Sequence, residues 1–160
     1  MKTMRWICLL GLLCAAGIAA DDTAALPAGK GREAVGKVCV DCHALDVIRA
    51  LRLSKDAWSQ KVNEMVDRGA QGTPEEIAAV TEYLAANFGP EAKVHVNTAP
   101  VDELRTVLGF SPAEAKAVVD WRGSHAAFKG WEDVAAVPGV DRAKVEAKKE
   151  MMNFAVAGQE

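Results

Sequence analysis

The sequence has no excess of positive charge: 19 Lys and Arg stand against 22 Asp and Glu, a formal net of −3 at pH 7. That balance excludes a general electrostatic attraction to nucleic acid or to an anionic membrane. It has no apolar run long enough to cross a bilayer, since the uncharged stretch from Ile7 to Ala20 is too short to span the hydrocarbon layer comfortably. No pair of acids and no nucleophile with a neighbouring base has motif support, so nothing points to a catalyst. Before Gly89-Pro90 nothing alternates for long enough to read as a sheet. What is present is ordinary for a globular protein: 50% hydrophobic and 26% charged residues, with 13 Gly and 6 Pro.

Lys2 and Arg5 precede the Ile7 to Ala20 run, and Asp21-Asp22 follow it. This is the layout of a cleaved signal peptide over residues 1–20, with export to the periplasm and no stable membrane insertion as the expectation. Cys8 and Cys14 then leave with the peptide, and the mature chain keeps Cys39 and Cys42. Its remaining length, about 140 residues, suits one medium domain or two small ones that each need help to bury a core.

Helical spacing and capping signals divide the rest. Helices are expected around Arg32 to Val38, from Ser54 to Gly69, and from Thr73-Pro74-Glu75-Glu76, a capping box, to Gly89-Pro90. From Lys93 the pattern becomes helix, tight turn, helix, twice over: Pro100 to Leu108 with Pro112 to Arg122, and Glu132 to Val137 with Asp141 to about Phe154. The expected division is therefore 21–92 and 93–160, all-α in both parts.

Cys39-Val40-Asp41-Cys42-His43 is the strongest chemical signal, because C-x-x-C-H reads as c-type haem attachment. Two thiols at this spacing can bond to the vinyl groups on one edge of a porphyrin, and the next side chain reaches the iron. Competing uses are a redox pair, a zinc site completed by His95 or His125, and a plain disulfide. Of the mature chain's methionines, Met65 alone lies in this half, on one helical face with Trp58 and Val62. It is either the second iron ligand or core filler; His95 is the alternative ligand. Trp58 packs against the porphyrin or closes the core.

Cys39 to His43, Trp58, Met65-Val66-Asp67-Arg68-Gly69 and Glu76 to Tyr83-Leu84 together make residues 29–90 resemble a small class I cytochrome c domain. The resemblance implies one covalent haem c (iron), with Cys39 and Cys42 as tethers and His43 and Met65 as ligands. It also implies first and last helices that cross beside the ring, with Tyr83 and Leu84 in the crossing.

Residues 94–154 resemble the helix-hairpin-helix domain of competence-type, ComEA-like DNA uptake proteins. The resemblance rests on Val96-Asn97-Thr98-Ala99, Glu103-Leu104, Ala115 to Arg122, Phe128-Lys129, Glu132-Asp133-Val134 and Val137-Pro138-Gly139-Val140. In that family a Gly-hydrophobic-Gly turn holds a DNA phosphate on exposed amides. Here the second glycine is Ser111 in one copy and Asp141 in the other, and the domain carries nine basic and ten acidic side chains. Lys144, Lys148 and Lys149 on the last helix either touch phosphate or form a solvated face complementing that helix's negative end. The expectation for the whole is a periplasmic mono-haem cytochrome that transfers single electrons to and from a redox partner protein and is not an enzyme. The alternative is an exported DNA-binding or scaffold protein that works through the hairpin module.

Overall fold

A computed structural model describes Thr23, residues 26–40 and residues 44–155. The expected signal segment 1–20, Cys42 and His43 lie outside the described residues. The chain is mostly helical: α1 (Arg32–Cys39), α2 (Asp46–Arg49), α3 (Lys55–Asp67), α4 (Pro74–Asn87), α5 (Val101–Leu108), α6 (Pro112–Ser124), α7 (Trp131–Ala135) and α8 (Arg142–Lys148). Two short strands, β1 (Val94–His95) and β2 (Met152–Asn153), pair in parallel.

Local chemistry sets several of the helix starts. Ser54 Oγ accepts from the Ala57 amide at 3.3 Å to open α3. Thr73 and Glu76 close a reciprocal capping box at α4, with Pro74 in the first turn. Ser111 and Glu114 do the same for α6.

Two apolar clusters form. One gathers Leu26, Val35, Val38, Leu45, Ile48, Trp58, Val62, Val80, Tyr83, Leu84 and Phe88. α1 and α3 both pack on α4, and Tyr83 donates its hydroxyl to the Pro27 carbonyl at 2.6 Å. Burial pushes that phenol up to about 12. The second cluster runs from Val94 to Met152 and includes Leu104, Leu108, Phe110, Val118, Phe128 and Val145. Phe128 is buried there, with Trp121 and Trp131 partly buried against it. Asn97 ties three non-helical segments of this half together: its amide nitrogen donates to the Phe128 and Phe154 carbonyls, and its oxygen accepts from the Phe128 amide at 2.8 Å.

Two elements differ from the sequence expectation. The last helix ends at Lys148 rather than near Phe154: a 3-10 turn over Lys149–Met151 follows, and then β2 pairs Met152 with Val94. Backbone pairing with a strand some sixty residues earlier outweighs the local helical pattern. α2, a single turn without a side-chain cap, was not foreseen. Four residues are too few to show a period.

α2 joins the two clusters. Glu103, on α5, is 1% exposed. Its carboxylate accepts from Arg49 Nε at 3.1 Å and from Arg52 Nη2 at 2.8 Å. Arg49, itself 2% exposed, also reaches Thr98 Oγ1 at 3.3 Å. Arg52 donates to the Ala92 carbonyl at 3.2 Å and lies over the Phe88 ring, and Thr106 Oγ1 donates to the Ala50 carbonyl. Removing one partner of a buried ion pair leaves the other charge desolvated and uncompensated. We expect Glu103→Ala to lower unfolding free energy by about 3–5 kcal/mol, measured by urea denaturation, whereas Lys61→Ala, an exposed pair at the surface, should cost under about 1 kcal/mol.

Candidate nucleic-acid interface and apolar cavity

The two hairpin turns have parallel construction. α5 ends on Gly109, at φ 73°, and α7 leads to Gly139, at φ 85°. Both values lie in the left-handed region that side chains with a Cβ resist, so glycine suits each turn. The Gly109 amide donates to the Arg105 carbonyl and the Phe110 amide to the Leu104 carbonyl, which closes the first turn. Phe110 and Val137 then face the core, leaving Gly109, Ser111, Pro112 and Ala113 exposed at one tip, and Gly139, Asp141, Arg142 and Ala143 at the other.

Glu114 holds the tips together. Its Oε2 accepts from the Ser111 amide at 2.7 Å and from Lys144 Nζ at 2.6 Å, while Oε1 accepts from the Asp141 amide at 3.2 Å. The residue is 7% exposed. Burial by itself raises its pKa, but the Lys144 ammonium, the Ser111 amide and hydroxyl and the Asp141 amide outweigh that and hold the carboxyl at about 2. Lys144 is thereby an internal partner of Glu114, and not the solvated charge that helix-end complementarity alone suggested.

The tips differ in electrostatics. At the first, the neutral Ser111 hydroxyl caps the Glu114 amide at 3.2 Å. At the second, Asp141 Oδ1 accepts from the Ala143 and Lys144 amides at 2.8 and 3.3 Å, so a carboxylate already occupies the start of α8. Beside it, the Arg142 and Lys149 cations lie 5.3 and 5.6 Å from the centre of the Trp131 ring.

Residues 89–152 match the model of the helix-hairpin-helix motif family. This part of the chain is a helix-hairpin-helix domain. A 66-residue stretch is 33% identical to ComE operon protein 1 of Bacillus subtilis (strain 168), covering 41% of this chain and 32% of that protein. An 81-residue stretch is 37% identical to endonuclease/exonuclease/phosphatase family domain-containing protein 1 of Homo sapiens and of Rattus norvegicus, covering 48% of this chain and 14% of each. The chain thus spans a third or less of the length of these curated relatives. No solved structure matches it.

These findings correct the expected function. They support the helix-hairpin-helix domain and the DNA-binding alternative, and they give no support to the reading of the protein as an electron-transferring cytochrome. Electron transfer was inferred from the C-x-x-C-H run and extended to the whole chain, while the family match falls on the other half.

The sequence-derived site residues of the first half are brought together only in part. Cys39, Trp58 and Met65 line one apolar cavity of about 480 Å³, with Val38, Ile48 and Val62 among its other walls. Its size lies in the ~300–1,000 Å³ range of small-molecule sites. Trp58 is 1% exposed and donates Nε1 to the Phe88 carbonyl at 3.0 Å, so it closes the core as well as the cavity. Met65 is half-buried. Cys42 and His43 lie outside the described residues, and His95, on β1, does not line the cavity. Among the described residues no cluster of three or more His, Cys, Asp or Glu is placed to hold a metal. The apolar walls and the thioether fit a large planar ring of the kind C-x-x-C-H implies.

Glu103, Arg49 and Arg52 were missed as a unit by sequence reading; Glu103 stood in a family motif, but nothing marked its partners. The Ser111–Glu114 spacing marks a capping box for one helix, but the bond of Glu114 to the second hairpin was not legible.

A carboxyl held at about 2 in the fold and near its ordinary 4.5 when unfolded stabilises the protein above pH 4.5. That contribution fades as pH falls through about 2. Glu114→Gln should flatten this acid limb and cost about 1–3 kcal/mol at pH 7, read from urea midpoints between pH 7 and pH 2.

Proposed function

We propose that this chain is an exported protein that binds DNA through its helix-hairpin-helix domain, contacting backbone phosphates and not base edges. The observation that carries this reading is Glu114: one carboxylate accepts from the turn amides of both hairpins, so the two tips sit side by side. Tips held side by side in this way bring two helix starts to one face, where phosphates of the DNA backbone can approach. The similarity to ComE operon protein 1 supports the same reading. So does the family match.

The charge pattern sets the character of the binding. The first tip is capped by a neutral hydroxyl and the second by a carboxylate, and the domain as a whole is close to neutral. Binding is therefore non-specific, modest and salt-sensitive, with Arg142 at the second tip and Lys148 and Lys149 farther along the last helix. In anisotropy titrations of a labelled duplex with the full chain, affinity should fall with salt at a slope near 0.9 per phosphate neutralised. Asp141→Asn should tighten binding by about two- to fivefold. Absence of binding at low salt would overturn the proposal.

A second reading concerns the first half and is favoured by the cavity that unites Cys39, Trp58 and Met65. Cys39 and Cys42 would tether one haem c, with His43 and Met65 on the iron and Trp58 in the wall. The ring would supply apolar surface to a small domain that otherwise buries little. Intact mass of protein made in cells with haem-attachment machinery tests it: an increment of one haem is expected, absent in Cys39→Ala with Cys42→Ala. A colourless protein of bare polypeptide mass would sink it.

A further inference from the structure

We propose that the cavity of the first half is a binding site for an apolar ligand bearing a carboxylate, and that Arg68 holds that carboxylate at the open side. The walls are apolar apart from two cations, Lys61 and Arg68. Both are exposed, so they stand where the cavity meets water. Three large hydrophobic residues are exposed among the described residues, Val47, Leu51 and Val66. The first two line this cavity. Exposed apolar surface continuous with an apolar cavity marks a place where a ligand body removes area from water.

The two cations are not equivalent. Lys61 Nζ pairs with Glu64 Oε2 at 2.7 Å, and this ammonium, through hydrogen bond and charge, holds the Glu64 carboxyl below its ordinary range. Arg68, at the end of α3, also acts on Glu64 through its charge but makes no ion pair among the described residues. Its planar fork suits a carboxylate in two-point contact, and the Lys61–Glu64 pair leaves the rim with a net positive charge. An apolar body inside with an acid at Arg68 therefore satisfies both the walls and the rim. Two sources share this chemistry, a tetrapyrrole with propionate arms and an alkyl carboxylate. The proposal shares the cavity with the haem reading but requires no covalent bond, so a missing mass increment would leave it standing.

The test uses the exported chain from cells without haem-attachment machinery. It is titrated with metal-free protoporphyrin IX, with its dimethyl ester, with dodecanoate and with dodecanol, and tryptophan emission is followed because Trp58 forms part of the wall. At least one of the two acids should bind saturably and about tenfold more tightly than its uncharged counterpart. Arg68→Gln should erase that preference while leaving the uncharged ligand's affinity unchanged, and Glu64→Gln should enlarge it. A preference seen only with protoporphyrin identifies a ring ligand, and one seen only with dodecanoate an acyl ligand; either supports the proposal. Equal affinity for acid and uncharged form, an equal loss of both in Arg68→Gln, or no saturable change with any of the four would overturn it.

Discussion

The Glu103 carboxylate is sealed from solvent between two guanidinium groups that belong to the other half of the chain. An isolated carboxylate at that depth would be costly, and so would an isolated Arg49; each makes the other tolerable. Because Arg49 follows Ile48 in α2, and Ile48 belongs to the first cluster, the ion pair fixes where α5 lies relative to that cluster. Arg122 extends the buried charge. Burial and the neighbouring Arg49 hold its guanidinium below its ordinary range, with Glu103 opposing, and it donates to the Val96 carbonyl at 2.8 Å. Hydrophobic burial supplies the drive within each cluster, but it has no direction. The ion pairs supply the registration between them.

The helix-hairpin-helix domain uses its own carboxylates in a related way. Glu114 satisfies amides of two turns at once, and Asp141 satisfies two amides at the start of α8. The domain is thus internally well satisfied at its two hairpin tips. An anion arriving there meets one neutral tip and one already occupied by negative charge. Attraction of an anion to these tips is correspondingly weak, and it is screened by salt.

The first half has another economy. Its cluster leaves a cavity beside Trp58 and Met65 and keeps Val47 and Leu51 in water. A domain of this size gains from filling such a space, since each buried apolar side chain is worth ~1.5–3 kcal/mol. The family comparison places the helix-hairpin-helix identity elsewhere in the chain, so the cavity stands on its chemistry and not on kinship. α2 touches both: Val47 and Ile48 line the cavity while Arg49 reaches α5.

Features confined to a few neighbouring residues were legible in the sequence. The capping boxes at Thr73 and Ser111, the Ser54 and Asp141 caps and the glycine turns depend on groups within three or four positions of one another, so spacing alone specifies them. The common helical face of Trp58, Val62 and Met65 was legible for the same reason. Tertiary structure alone decided the Arg49–Glu103 pair, the reach of Glu114 to Asp141 and the Val94–Met152 strand pairing that cut the last helix short. Each joins groups from distant segments, and their meeting depends on how the clusters pack. A charge or an apolar side chain in the sequence carries no mark of the distant partner that will meet it.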